Sequence, residues 1–271
     1  MEGNPMPDSR LVADGLRLAY QDRVVAEDLD VRVPDGGFTV VIGPNACGKS
    51  TLLRALGRLL EPAAGTVSLD GRAARSLGTK EFARALASLP QSVVVPDGIA
   101  VSDLVARGRF PHQTLLRQWT VADEAAVDAA LDATGVRRLA DRRIDELSGG
   151  QRQRVLLATV LAQDTGILLL DEPTTFLDVT HQIEVLELCR ELHERGRTIV
   201  AVLHDIAQAC RYATHVIAMR DGTVVASGTP AEVVTEELVE DVFGLRSVVV
   251  PDPVTGTPLV VPLAGRAAVA A

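Results

Sequence analysis

The apolar positions of this chain change period from one end to the other, and the changes outline its elements. Alternating apolar and polar residues predict strands over 16–20 and 29–33. A Pro34-Asp35-Gly36-Gly37 turn then leads into Phe38-Thr39-Val40-Val41-Ile42, a near-continuous apolar run of the kind a strand covered on both faces shows. Leucines at 52, 53, 56, 59 and 60 recur at helical spacing and predict a helix over 50–60, while 67–70, ending at Asp70-Gly71, reads as a hairpin arm. From about 101 to 162 the pattern is helical, over 102–107, 120–134 and 151–161, with no convincing strand between. Strand and helix then alternate again: 167–170, 180–195 closed by Gly196, 198–203, 206–212 and 215–219. Residues 223–226 follow the Asp221-Gly222 turn, a helix is predicted over 230–243 with Thr229 as its N-cap, and 247–250 with 258–261 form a terminal hairpin. The alanine-rich end, 264–271, is expected to fray.

Continuous apolar strands separated by helices imply a parallel sheet covered on both faces. The predicted class is therefore α/β: a parallel sheet core, an N-terminal antiparallel β subdomain, and an inserted helical subdomain at about 92–162. A flexible start at 1–10 and a C-terminal extension at 244–271 flank the main domain, 11–243.

A chain of 271 residues can bury a core without disulfides or a structural metal. Its formal charge of -9 and pI of about 5.1 leave no global basic field to attract a phosphate backbone, so no nucleic-acid partner is expected. Arg137, Arg138, Arg142 and Arg143 are interleaved with leucine and aspartate near predicted helix ends and read as a solvated face. Hydrophobic residues make up 47% and the mean hydropathy is +0.18, yet no apolar run reaches the roughly 18–20 residues a spanning helix needs. The first ten residues carry Glu2 and Asp8 and no signal-type apolar stretch, so a cytosolic location is expected. Cys47, Cys189 and Cys210 show neither disulfide nor zinc spacing and read as reduced thiols. Oxidation or alkylation of Cys47 would crowd whatever its loop binds.

That loop carries the strongest chemical signal. Gly43-Pro44-Asn45-Ala46-Cys47-Gly48-Lys49-Ser50 fits the phosphate-cradling pattern G-x-x-x-x-G-K-[ST] at every fixed position, between a predicted strand and a predicted helix as the pattern requires. Its glycines let main-chain N–H groups converge on phosphate, Lys49 brings a cation to the β and γ phosphates, and Ser50 can ligate magnesium. Thr51 adds a hydroxyl near the α phosphate. Only Lys49 and Lys80 among the 27 basic residues are lysines, so an ammonium stands where a compact point charge is needed. Further on, a buried-type strand ends in Asp171-Glu172; in phosphoryl transfer the first such acid helps hold magnesium and the second can activate water. His204 closes another apolar strand, and strand ends on one edge of a parallel sheet share the ligand crevice. Leu147-Ser148-Gly149-Gly150-Gln151 precedes a helix and offers a second anion-facing helix N-terminus.

Together with Gln91 and Asp178, these residues occur in the order and spacing of the nucleotide-binding subunits of ABC transporters, which 11–243 resembles throughout. The resemblance implies a P-loop NTPase ABC cassette that hydrolyses ATP with Mg2+. It makes Tyr20 the aromatic under adenine, Gln91 a residue reaching magnesium and the membrane subunit, Asp171 a magnesium ligand, Glu172 the general base and His204 the switch histidine. It also implies that Ser148, Gly149, Gly150, Gln151 and Asp178 close over ATP held by a second copy, so that two chains enclose two ATP molecules head to tail. The segment Arg107-Gly108-Arg109-Phe110-Pro111-His112-Gln113, the start Gln151-Arg152-Gln153-Arg154, Cys47 in the loop and Pro173-Thr174-Thr175-Phe176-Leu177-Asp178 with His181-Gln182 resemble ATPases of iron-siderophore importers. By that resemblance the chain sits on the cytoplasmic face of the membrane with two permease subunits, and indirectly serves a siderophore-binding lipoprotein. Two other subfamily cargoes, haem or cobalamin, and metal import stay open. So do a soluble ABC-type ATPase acting on nucleic acid, which usually carries two cassettes or a long coiled coil, and a small-molecule kinase, which leaves residues 147–151 and His204 without a task.

Overall fold

The computed structural model describes residues 9–21, 23–114 and 119–263. The chain divides into two compact units, Met1–Ala73 with Val200–Ala271, and Ala74–Ile199. The tail expected to fray, 264–271, and most of the start expected to be flexible lie outside the described residues.

The first unit opens with β1 (Leu11–Tyr20), β2 (Arg23–Val33), β3 (Phe38–Ile42), α1 (Lys49–Leu56), β4 (Ala64–Leu69) and β5 (Arg72–Ala73). β1 pairs antiparallel with both β2 and β4, in the sheet order β2-β1-β4-β5. Alternation explains the sheet: Leu11, Ala13, Leu16 and Leu18 of β1 and Leu29, Val31 and Val33 of β2 face inward and are buried. β3 is buried at every position, as its unbroken apolar run requires. α1 ends at Leu56, short of the predicted helix, because Arg58 turns left-handed at φ 58 and Leu59 and Leu60 donate back to Arg54 O. Leu59 is exposed, so its helical spacing carried no packing information.

The second unit runs through α2 (Thr79–Ala85), β6 (Leu86–Leu89), α3 (Val101–Ala106), α4 (Val121–Ala133), α5 (Gly149–Ala162), β7 (Ile167–Asp171) and α6 (Val179–Glu194), and ends on the first residues of β8 (Thr198–Val202). β6 and β7 are parallel, from Leu86 opposite Ile167 to Leu89 opposite Leu170, and Thr198 N–H donates to Gly166 O at 2.9 Å. α3 and α4 pack on α5. The period pattern left α2 and β6 unpredicted, since each is short and they abut without a turn residue.

The chain then returns to the first unit as α7 (Ile206–Tyr212), β9 (His215–Arg220), β10 (Thr223–Gly228), α8 (Pro230–Val233), α9 (Glu236–Phe243), β11 (Ser247–Pro251) and β12 (Pro258–Pro262). β9 lies parallel to β3 and antiparallel to β10, and β11 pairs with β12 in the expected hairpin. The helix predicted over 230–243 is two helices. Val234 leaves helical geometry at ψ 87, and Thr235 restarts the chain by accepting Leu238 N–H.

The segment 107–113 is locked inside the second unit. Arg109 Nε donates to Asp123 Oδ1 at 2.9 Å, its Nη1 donates to Ala162 O at 2.8 Å, and Thr120 donates twice to Asp123 Oδ2. Both charged side chains are 7% exposed. A Cβ on Gly108 would come within 2.3 Å of Thr159 O, so only glycine fits there. Arg109→Ala leaves a buried carboxylate without its counter-charge and is expected to cost about 3–5 kcal/mol in urea unfolding. Burial pushes the Asp123 carboxyl up, but hydrogen bonds from Thr120 and Arg109 outweigh it and hold the carboxyl below its usual range. A depressed folded pKa contributes stability that is complete above the unfolded value of about 4 and is lost as pH falls through the folded one. The deficit of Arg109→Ala should therefore shrink in acid.

Candidate nucleotide-binding site

Gly43 leaves the buried strand β3 at φ 151, and a Cβ there would lie 2.2 Å from Met219 O and 2.8 Å from Cys47 Sγ. Only glycine lets the loop pass so close to β9. Ala46 at φ 63 and Gly48 at φ 107 give the left-handed turns that make successive main-chain N–H groups converge. Gly48 is also the N-cap of α1, so the positive end of that helix opens at the loop. Lys49 is 5% exposed, and its Nζ donates to Gly43 O at 2.9 Å and Pro44 O at 2.8 Å, which fixes the ammonium at the loop. Cys47 O accepts from Gly222 N–H at 3.0 Å. The Cys47 thiol is buried, and burial pushes its pKa up against the attraction of Lys49, so it is a poor thiolate at neutral pH. All three cysteines are free thiols.

Ser50 and Thr51 continue into α1, Thr51 buried and Ser50 half-buried. Tyr20, at the end of β1, is exposed, and its hydroxyl accepts from Arg54 of α1 at 3.0 Å, which steadies the ring beside the helix that starts at the loop. His204 follows β8 and is exposed; its neighbour Leu203 donates to Val41 O at 3.4 Å, placing the histidine at the same end of this unit's sheet as Gly43. Tyr20, residues 43–51 and His204 thus belong to the first unit.

Gln91, residues 148–151, Asp171, Glu172 and Asp178 belong to the second. Because β6 and β7 are parallel with Leu89 opposite Leu170, Gln91 and the Asp171-Glu172 pair leave the same edge of this unit's sheet. Gln91 is exposed and Asp171 is 2% exposed. Glu172 has φ 53, an uncommon conformation for a non-glycine residue that costs about 1–3 kcal/mol. Pro173 disfavours the right-handed helical region at this position, and Thr175 holds the turn with N–H to Glu172 O at 3.2 Å and Oγ1 to Glu172 Oε2 at 3.1 Å.

Ser148 caps α5 in a reciprocal box: Gln151 N–H donates to Ser148 Oγ at 3.3 Å and Ser148 N–H donates to Gln151 Oε1 at 3.1 Å. Ser148 and Gly149 are exposed, and the serine proton remains available to donate. A Cβ on Gly150 would sit 3.2 Å from Leu177 Cδ2, so this turn packs on the segment before Asp178. Asp178 caps α6, accepting from His181 N–H and Nδ1; these bonds hold its carboxyl below the usual range. Period and motif gave no role to Arg54 or Gln153, whose partners Tyr20 and Pro173 are distant in sequence.

A family model for ABC transporters matches residues 26–175. The chain is 56% identical over 261 residues to the ferric enterobactin transport ATP-binding protein FepC of Escherichia coli (strain K12), covering 96% of each protein. The chain belongs to the ABC transporter family. The petrobactin import ATP-binding protein FpuD of Bacillus anthracis is 52% identical over 248 residues, covering 91% of each. Among solved structures, the dimeric post-hydrolysis state of the ATP-binding cassette MJ0796 bound to ADP and Pi matches with a TM-score of 0.73 at 25% identity, covering 81% of this chain and 98% of that one. The fold is that of the ABC ATPase cassette, and the enzyme class is an ATPase coupled to transport. The donor set of the glycine loop fits the nucleotide such a cassette binds: an ammonium, two hydroxyls and a left-handed turn of N–H groups at a helix N-terminus.

Proposed function

We propose that this chain is the ATP-hydrolysing subunit of an importer of ferric siderophores. The observation that carries the cargo is the extent of likeness to the Escherichia coli ferric enterobactin protein, which runs the length of both chains. The glycine loop and Lys49 bind the β and γ phosphates, Thr51 lies toward the α phosphate, and Tyr20 stacks on adenine. Ser50, Asp171 and Gln91 would hold Mg2+, which neutralises phosphate charge when bound. Glu172 takes the proton of the attacking water, and His204 hydrogen-bonds the γ phosphate. Ser148, Gly149, Gly150, Gln151 and Asp178 act on the ATP of a second copy, so hydrolysis waits for two chains to close head to tail.

Closure and opening pass to two permease subunits, and a siderophore-binding lipoprotein delivers the cargo. No helix among the described residues is long and apolar enough to cross a membrane. The likeness to import ATP-binding proteins supports a peripheral subunit at the cytoplasmic face. Uptake of radiolabelled ferric siderophore tests this in cells lacking the chain. Uptake should fall to background and return with the wild-type chain but not with Glu172→Gln. Undiminished uptake, with the chain purifying with ribosomes or nucleic acid and never with permease, overturns the reading.

A further inference from the structure

Gln153 lies in the second turn of α5, outside the residues assigned to the nucleotide. Its Nε2 donates to Pro173 O at 3.2 Å. Pro173 follows Glu172 directly and contributes no N–H, so its own main-chain hydrogen bonding runs through the carbonyl that Gln153 reaches. Glu172 itself holds the left-handed conformation at φ 53, which persists only where surrounding contacts over-determine it. Two of those contacts come from Thr175 within the turn. The hydrogen bond from Gln153 comes from outside it.

The same helix begins at Ser148, and its first turn meets the far end of the acidic segment. Gly150 packs on Leu177 as described, and Gln182 of α6 donates to Leu177 O at 3.1 Å. Residues 172–178 are therefore held to α5 at both ends, by Gln153 at Pro173 and by the glycine turn at Leu177, all within one unit.

We propose that Gln153 is a positioning residue that holds the Glu172 carboxylate in its working orientation from the helix whose N-terminus serves the partner chain's ATP. The inference rests on Glu172 being the general base. It has a consequence for the pair of chains: Ser148 at the start of α5 senses one ATP, while Glu172 acts on the other. Gln153 then makes the geometry of the base depend on occupancy of the opposite site, and hydrolysis by the pair is cooperative in ATP.

The test uses the full chain with Mg-ATP. Gln153→Met keeps length and removes the donor; Gln153→Lys keeps a donor at similar reach. Gln153→Met should lower kcat about 10-fold, leave KM for ATP within about 2-fold, lower the Hill coefficient toward 1 and leave Tm unchanged within a few degrees. Gln153→Lys should recover most of the rate. A kcat for Gln153→Met within about 2-fold of wild type overturns the inference, as does an equal loss of rate and Tm in both variants, which marks a purely structural contact. Glu172→Gln run alongside separates the two readings. If it turns over normally, the base assignment fails; if it is inert while Gln153→Met is normal, only the role of Gln153 fails.

Discussion

Glu172→Gln should keep ATP binding and lose turnover, with kcat lowered by about 10²–10⁴-fold, the span a general base contributes. The substitution preserves the size of the side chain and an oxygen to accept from Thr175, so the strained turn at φ 53 should survive. What disappears is the group that can take a proton from water. The phosphate contacts proposed for residues 43–51 are untouched by this change, so the affinity for ATP should stay within about 2-fold of wild type. A pair of chains that closes on ATP and cannot hydrolyse it should accumulate, and size-exclusion chromatography with ATP should show a dimer where the wild-type chain returns to monomer. Isothermal titration and a phosphate-release assay check the two halves. Normal phosphate release would reassign the base, with His204 next in line.

Lys49→Ala has the opposite signature, a loss at the binding step. The ammonium is nearly buried and anchored by Gly43 O and Pro44 O, so its position is set before any phosphate arrives. Truncating one partner of a buried charge pair costs about 2–5 kcal/mol, which corresponds to a rise in the Kd for ATP of roughly 30- to 5,000-fold. ATP hydrolysis at millimolar ATP should fall to background. Removing the ammonium also strands two carbonyls in the free protein, at about 1–3 kcal/mol, so melting with and without ATP belongs in the same experiment. The expected result is a modest fall in Tm and no rise on adding ATP, where wild type is stabilised. Lys49→Arg is not a rescue, because a planar fork cannot replace a compact charge at these two carbonyls.

Comparison of the two substitutions shows which parts of the chemistry are local. Most of what decides the fate of Lys49 lies within a few residues of it: the carbonyls of Gly43 and Pro44, a left-handed Gly48, a helix that starts at 49. Such features were legible in the sequence because backbone freedom and helix starts depend on residue type at fixed spacing. The same holds for β3, whose buried face on both sides required an unbroken apolar run, and for the Ser148 box, whose two members stand three residues apart. Short elements that meet without a turn, such as α2 and β6, left no period long enough to read, and the break at Val234 shows only in the backbone.

The environment of Glu172 was not legible in this way. A pair of acids after an apolar strand named the residue, but the bond from Gln153 to Pro173 O and the packing of Gly150 on Leu177 join positions about twenty residues or more apart. The segment 107–113 is a similar case: the sequence marked it by resemblance, and the structure makes Arg109 one half of a buried pair with Asp123. By itself, then, the sequence determined the periodic elements, the phosphate loop and the identity of the acids and the histidine at strand ends. Tertiary structure alone decided which main-chain carbonyl each side chain would find and which residue would be held under strain. The physical reason is that a carbonyl is the same at every position, so only the folded chain can say which one lies within reach.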